Sequence, residues 1–541
     1  MACVVWQSPY HRWSARGGGR YATGMSKRED FLVFKQLARG SGIALASALA
    51  LMLSAGASQA AEMKPVKGGT LTIGVETDLQ GLDALKAHVL GISANMVATT
   101  IMERLMEFDD EGKMRHVLAT DVSVSDDGLV WNYTLREGVK FHDGSDFTAE
   151  DAAFYFNRLL EPKNRYFGRL FVAPMKNVTV EAPNKIAFHL KNPWVAMELF
   201  GSAYSFTTFI GQTSSIKAGT QNRSPGGTGP FVFKEWRPGD RIVVERNPHY
   251  WNKDAIHLDE IVFRIMPDQQ TRMASLKSGE VDIIWTDRGA SVLEAEKDAN
   301  LTVHTREGTG AGIIFLNTAK PPLDNVEARR ALSHAWNQDA YVKFSLRGIA
   351  PVVEHPLGPN SKCQVGNYRA PSAKLAKEHV AKAGGPFSVD MIHTATQRGR
   401  EFGEIYQQLA KKAGITMNLK PVDQVQLRQL VFTNNYNISG WRIADTAVQS
   451  QLFALLFSKS FYNLTKYQNP EMDKLLGAML QAPTLEDYDQ RACEVIKLMH
   501  EDAMILLSAG RQHHAISRPN VHNVPPLWQG TIDPRYVWVG K

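Results

Sequence analysis

The chain has 541 residues, 44% of them apolar and 21% charged. A single hydrophobic core stops growing near about 250–300 residues, so two or three globular units are expected, and the composition excludes a disordered or collagen-like chain. The formal charge of +6 sits almost wholly at the amino end, where Arg12, Arg16, Arg20, Lys27, Arg28, Lys35 and Arg39 are opposed only by Glu29 and Asp30. The near-neutral remainder has no Lys/Arg run and therefore no electrostatic footprint for nucleic acid.

Residues 1–24 contain Trp6, Pro9, Trp13 and three consecutive glycines, unlike any leader, so they read as a non-native or untranslated extension with translation starting at Met25. Residues 25–60 have the three parts of a secretory signal peptide. Basic Lys27, Arg28, Lys35 and Arg39 precede an apolar run from Ile43 to Leu53, and Ser58-Gln59-Ala60 offers small residues for cleavage after Ala60. The apolar run is shorter than the ~20 residues that span a bilayer. No Cys lies near the cleavage point, which argues against a lipid anchor.

After a polar start at Met63 to Gly69, Leu71, Ile73 and Val75 alternate with polar or small residues and predict a strand. Thr148 with Asp151, Asp324 with Glu327, and Thr484 with Asp487 fit the helix-capping pattern, in which side chains satisfy otherwise unpaired amides. Core-facing stripes follow at Ala328, Ala331, Leu332 and Ala335, and at Met472, Leu475, Leu476 and Met479 behind Asn469-Pro470. Hairpins are predicted around Ala182-Pro183-Asn184 and around Pro238-Gly239-Asp240, each between alternating apolar residues. This mixture, with no repeat of fixed period, indicates several domains of α+β or mixed α/β type. No long linker separates them, so strands are expected to make the crossings. Cys363 and Cys493 remain once the leader is removed; a bridge and two buried thiols both stay open, because sequence does not place their Cα atoms.

Recognisable chemistry is largely missing. There is no GxSxG elbow, no P-loop and no HExxH, since His500-Glu501 is followed by Met504 where a second ligand is required. The third glycine of Gly308-Thr309-Gly310-Ala311-Gly312 falls one residue early for a dinucleotide fingerprint. Ser214-Ser215-Ile216-Lys217 has no SDN or KTG partner, and adjacent His513 and His514 would point to opposite faces of a strand. No nucleophile–base pair can be nominated, so a binding protein is favoured over a secreted enzyme.

Ser125-Asp126-Asp127-Gly128-Leu129, Trp131 to Arg136, and above all Gly138-Val139-Lys140-Phe141-His142-Asp143-Gly144 through Phe147-Thr148-Ala149-Glu150-Asp151 carry a family signature. Further matches follow at Gly227 to Phe231, Arg237 to Asp240, Glu245-Arg246-Asn247-Pro248 with Tyr250-Trp251, Ser278 to Asp282, Leu316-Asn317-Thr318 with Pro321-Pro322-Leu323, and Tyr467 with Asn469-Pro470-Glu471. On these residues the chain resembles the family 5 solute-binding proteins, the dipeptide, oligopeptide and nickel receptors of ABC importers. The resemblance implies a two-lobed α/β periplasmic binding protein, type II and cluster C-like, with an extra domain inserted in lobe one. The implied order is lobe one at 61–106, inserted domain at 107–226, lobe one at 227–316, lobe two at 317–503 and a return to lobe one at 504–541.

By the same likeness, a small solute, a peptide or peptide-like amino-acid conjugate, lies between lobes that close about strands near Leu316-Asn317-Thr318. Permease transmembrane subunits receive it. A nickel- or haem-type chelate is the alternative solute. A periplasmic monomer without cofactor or metal ligands is expected. The peptide binders' lobe-two segment corresponds here to Gly440-Trp441-Arg442-Ile443-Ala444-Asp445, with one extra residue between Trp and Asp and with Thr446-Ala447-Val448-Gln449 in place of the usual Pro-Asp-Pro. The resemblance thus implies Trp441 and Asp445 as ligand-binding residues. Arg398 or Arg400 is the implied carboxylate ligand, since a guanidinium grips a carboxylate through two parallel hydrogen bonds.

Overall fold

The computed structural model describes residues 64–541 except 87–90, 110, 112, 165, 171, 198, 200–207, 367–369, 444–447 and 541. The expected leader, its cleavage point and Asp445 lie outside the described residues. The first element is the predicted strand, β1 (Thr70–Val75), with Leu71 and Ile73 fully buried. It pairs in parallel with β10 (Glu260–Ile265) on one side and β11 (Ile283–Thr286) on the other. Beyond β10 lie antiparallel β9 (Arg241–Arg246) and β8 (Phe231–Arg237), the hairpin turning at Pro238–Asp240 with Gly239 at φ 75°. Glycine is the residue that takes this conformation without steric cost.

A second parallel group consists of β13 (Ser388–Thr394) between β14 (Thr416–Val422) and β15 (Ile438–Ile443). Two long strands join the groups, β12 (Thr302–Leu316) and β16 (Ile505–Ser517), so that ten strands run in the order β14-β13-β15-β12-β16-β11-β1-β10-β9-β8. The carboxyl end of β16 pairs with β11, and the carboxyl end of β12 pairs with β15. Each long strand therefore belongs to both halves. Together they form the crossing, as the resemblance implied. Their mutual pairing is interrupted between Glu307 and Ala311 and again between Gly312 and Ile313. At the end of β12 the buried side-chain amide of Asn317 donates to the carbonyl of Tyr436 at 2.7 Å.

Each half has its own core. In lobe one, Leu71, Ile73, Ile242, Val244, Ile261 and Phe263 pack with Met96 and Val97 of the helix Ile92–Ile101. In lobe two, Ile314, Leu316, Met391 and Ile438 pack with Leu332 and Tyr406 from two covering helices. Between β1 and β8 the chain forms a separate four-stranded sheet, β4 (Ala119–Val124), β5 (Val130–Leu135), β7 (Lys185–Leu190) and β6 (Met175–Ala182). The helix Ala149–Leu160 packs on it, with Phe156 and Tyr133 both meeting Phe188 edge to face.

The signature segment is a packing motif. Thr148 and Asp151 form the reciprocal capping box, each accepting the other's backbone amide. His142 Nε2 donates to the carbonyl of Gly229, and burial pushes its imidazole down to about 4, so it stays neutral. Thr484 caps its helix as predicted. At Asp324 the outcome differs: the cap is Asn325, whose Oδ1 accepts the amide of Glu327, while Asp324 accepts the amide of Asn325. Either Asx side chain can cap, and the backbone turns into the helix one residue later than the spacing suggested. Cys363 and Cys493 are bonded, Cα atoms 5.4 Å apart, which decides between the two alternatives the sequence left. Among the described residues no helix is long and apolar enough to cross a membrane.

Candidate functional site

In open sheets with parallel strands, ligands collect outside the carboxyl ends of the strands, where loops leave the sheet and backbone groups are unpaired. In this fold β1 ends at Val75, β11 at Thr286, β13 at Thr394 and β15 at Ile443. The two parallel groups present these ends to each other across the β12/β16 crossing. Direct contact proves it: Arg398 Nη1, on the first turn after β13, forms an ion pair with Asp287 Oδ2, just after β11.

The local sequence explains the placement of the arginines. Thr396 caps the helix Gln397–Lys412 by accepting the amide of Gly399, which fixes residues 397–400 as its first turn at the edge of the sheet. Gly399 has to lack a side chain because a Cβ there would overlap the backbone of Thr394. Arg400 Nη1 donates to the carbonyl of Ala395 at 2.6 Å. Burial alone would raise the Asp287 carboxyl, but Arg398, Arg288 and Arg511 together hold it below the usual range. Asp287 in turn raises the Arg398 guanidinium further above its ordinary value.

Trp441 stands on β15, next to β13 in the sheet, and is half-buried. Its ring stacks on Phe315 at 5.9 Å and meets Phe432 edge-on at 6.3 Å. Arg398 and Arg400 thus share one helical turn, with Trp441 on the neighbouring strand. Asp287 was not found from sequence; it directly follows β11, which the sequence reading did not identify as a strand, and the strand-end rule applied there would have singled it out.

Other candidates are accounted for by packing. His514 Nδ1 meets Thr305 Oγ1 at 2.9 Å and burial pushes its imidazole down to about 4, while His513 lies against Gly530. His500 Nε2 donates to the carbonyl of Glu354. Among the described residues no group of three His, Cys, Asp or Glu is placed to hold a metal ion. A cavity of about 560 Å³ in lobe one is lined by Arg104, Glu107, Asp533 and Arg535, none of them a candidate site residue. Arg535 there binds both Glu107 (2.7 Å) and Asp533 (2.6 Å), so its charges compensate one another.

Comparison with known proteins bears on the fold and the family. Residues 113–463 match the model of the bacterial extracellular solute-binding proteins, family 5. A probable di/tripeptide-binding protein of Pseudomonas aeruginosa is 27% identical over 498 residues, covering 85% of this chain and 93% of that protein. A heme-binding protein A of Haemophilus influenzae is 27% identical over 453 residues, covering 76% of this chain and 82% of that protein. Among solved structures, the periplasmic binding protein DppA of Helicobacter pylori, in complex with the peptide STSA, superimposes with a TM-score of 0.78 at 22% identity, covering 88% of this chain and 99% of that one. Since the family model spans well over half of its residues, the chain belongs to family 5 of the bacterial extracellular solute-binding proteins.

Proposed function

We propose that this protein captures a small carboxylate-bearing solute, a peptide or peptide-like amino-acid conjugate, between its two lobes in the periplasm and delivers it to ABC permease subunits. The observation that carries the reading is the pair Arg398 and Arg400 on one helical turn at the carboxyl edge of lobe two, opposite lobe one. The helix amino end and the Arg400 guanidinium attract a carboxylate by dipole, charge and hydrogen-bond geometry together, and Arg398 adds to the positive field without contacting it. The peptide named for the Pseudomonas relative's class and the peptide in the Helicobacter structure support the same solute chemistry.

Within this reading Trp441 supplies a flat apolar wall and Asp445 a charge-assisted acceptor for a ligand ammonium. Arg400 is the better candidate to grip the carboxylate, because Arg398 is engaged by Asp287. A second reading, a nickel- or haem-type chelate, is favoured by the Haemophilus relative. The test is a thermal-shift and calorimetry panel of di- and tripeptides, their carboxyl-amidated forms, opine-type conjugates, haem and nickel–histidine. A solute at a hundred times its dissociation constant stabilises the fold by about 2.7 kcal/mol. Stabilisation by free-acid peptides or conjugates and loss of it on amidation supports the proposal. Stabilisation by haem or nickel–histidine alone overturns it.

A further inference from the structure

Lobe one and lobe two touch directly at the edge of the cleft, and we infer that Asp287, Gly289 and Arg398 form a closure latch that sets solute affinity without touching the solute. The ion pair is its first component. Both partners are partly exposed, the Asp287 and Arg398 side chains retaining 26% and 44% of their accessible surface.

The second component is a close approach of backbone. Gly289 opens the helix Gly289–Ala295, immediately after β11. A Cβ at this position would lie 2.8 Å from Cβ of Arg347 and closer still to the carbonyl oxygen of Leu346, both in the lobe-two turn after the helix Gln338–Phe344. Gly289 does not have a positive φ. Its backbone is open to any residue, and proximity to the other lobe is what demands glycine.

Each half of the latch is internally braced. On lobe two, Ser345 Oγ donates to Glu401 Oε2 at 2.9 Å, joining the turn that carries Leu346 to the helix that carries Arg398. The amide of Gly348 returns to the carbonyl of Val342, that of Ile349 to the carbonyl of Leu346, and Arg347 and Gly348 both take left-handed φ, so the turn is closed on itself. On lobe one, the amide of Arg288 donates to Thr286 Oγ1, fixing the segment between Asp287 and Gly289 to the end of β11. Two braced elements meeting at a rim add to the closed state whatever lies deeper in the cleft. Arg398 is accordingly a positioning residue.

Only the consequence for affinity rests on the solute-receptor reading, so the test begins without solute. Dyes on Lys234→Cys (β8) and Lys420→Cys (β14), at opposite edges of the large sheet and with the native disulfide oxidised, report the interlobe distance by single-molecule energy transfer. Asp287→Asn removes the ion pair without adding bulk and should lower the closed-to-open ratio about two- to fivefold, as for a partly exposed pair. Gly289→Val wedges the turn and should lower it further. Circular dichroism and thermal melting confirm that each variant is folded. Distance distributions identical to wild type in folded Asp287→Asn and Gly289→Val would overturn the latch. The same set is then measured with tri-alanine, where failure to bind bears on the proposed solute and leaves the solute-free result standing.

Discussion

Glu103 should make the stability of this protein fall as pH rises from 5 to 8. The residue is 1% exposed, its carboxylate accepts the Tyr250 hydroxyl at 2.9 Å and the Trp251 indole N–H at 3.1 Å, and burial raises its carboxyl from 4.5 to about 7. Because the folded value lies above the unfolded one, the contribution is complete below 4.5 and is lost as pH passes through 7. A shift of this size corresponds to about 3 kcal/mol, or roughly 3 °C in melting temperature for a chain of this length at the average unfolding entropy per residue. The assay is urea unfolding of wild type and Glu103→Gln at pH 5, 6, 7 and 8. Glutamine keeps an acceptor for Tyr250 and Trp251 but does not titrate, so the variant should gain on wild type by about 3 kcal/mol across the series. A wild type–variant difference that does not change with pH would refute the reasoning, whatever its absolute size.

Replacing Cys363 and Cys493 together by Ser opens a loop of 130 residues, and the chain-entropy model gives a loss of about 5 kcal/mol, read as an earlier urea midpoint under oxidising conditions. Asp445→Ala and Arg400→Ala should each weaken binding of the cognate solute by about 30-fold or more in calorimetry, as expected when one partner of a charged contact is truncated, with circular dichroism unchanged. An Asp445→Ala protein that binds within about threefold of wild type makes Asp445 a structural residue. Amino-terminal sequencing of the exported protein should begin at Ala61; an uncleaved chain recovered with membranes contradicts the signal-peptide reading.

What was legible in the sequence was local. The alternation in β1, the turn at Pro238–Asp240 and the Thr148/Asp151 box are each decided by residues a few positions apart, and each appears where expected. Where two local solutions compete, as at Asp324 and Asn325, spacing alone chose the wrong neighbour. The crossing was legible as a necessity, because no linker joins the domains. Its irregularity at Glu307–Ala311 was not, since that depends on how β12 registers with a strand about two hundred residues later.

The candidate site divides in the same way. Arg398, Arg400 and Trp441 were found through resemblance, but the engagement of Arg398 by Asp287 is a contact across 111 residues. Gly289 looks like any helix-start glycine until Leu346 and Arg347 are brought against it by the fold. The cysteines are 130 residues apart, and only the packing of the loop bearing Cys363 on the helix Leu485–Asp502 brings them together.

The central claim is that the solute is enclosed between two lobes that close on it by hinge motion. Small-angle X-ray scattering of the purified mature protein, without solute and saturated with the panel compound of highest affinity, tests it most directly. A smaller radius of gyration on saturation is the predicted result. Tight binding with an unchanged radius would contradict the account and require a static pocket.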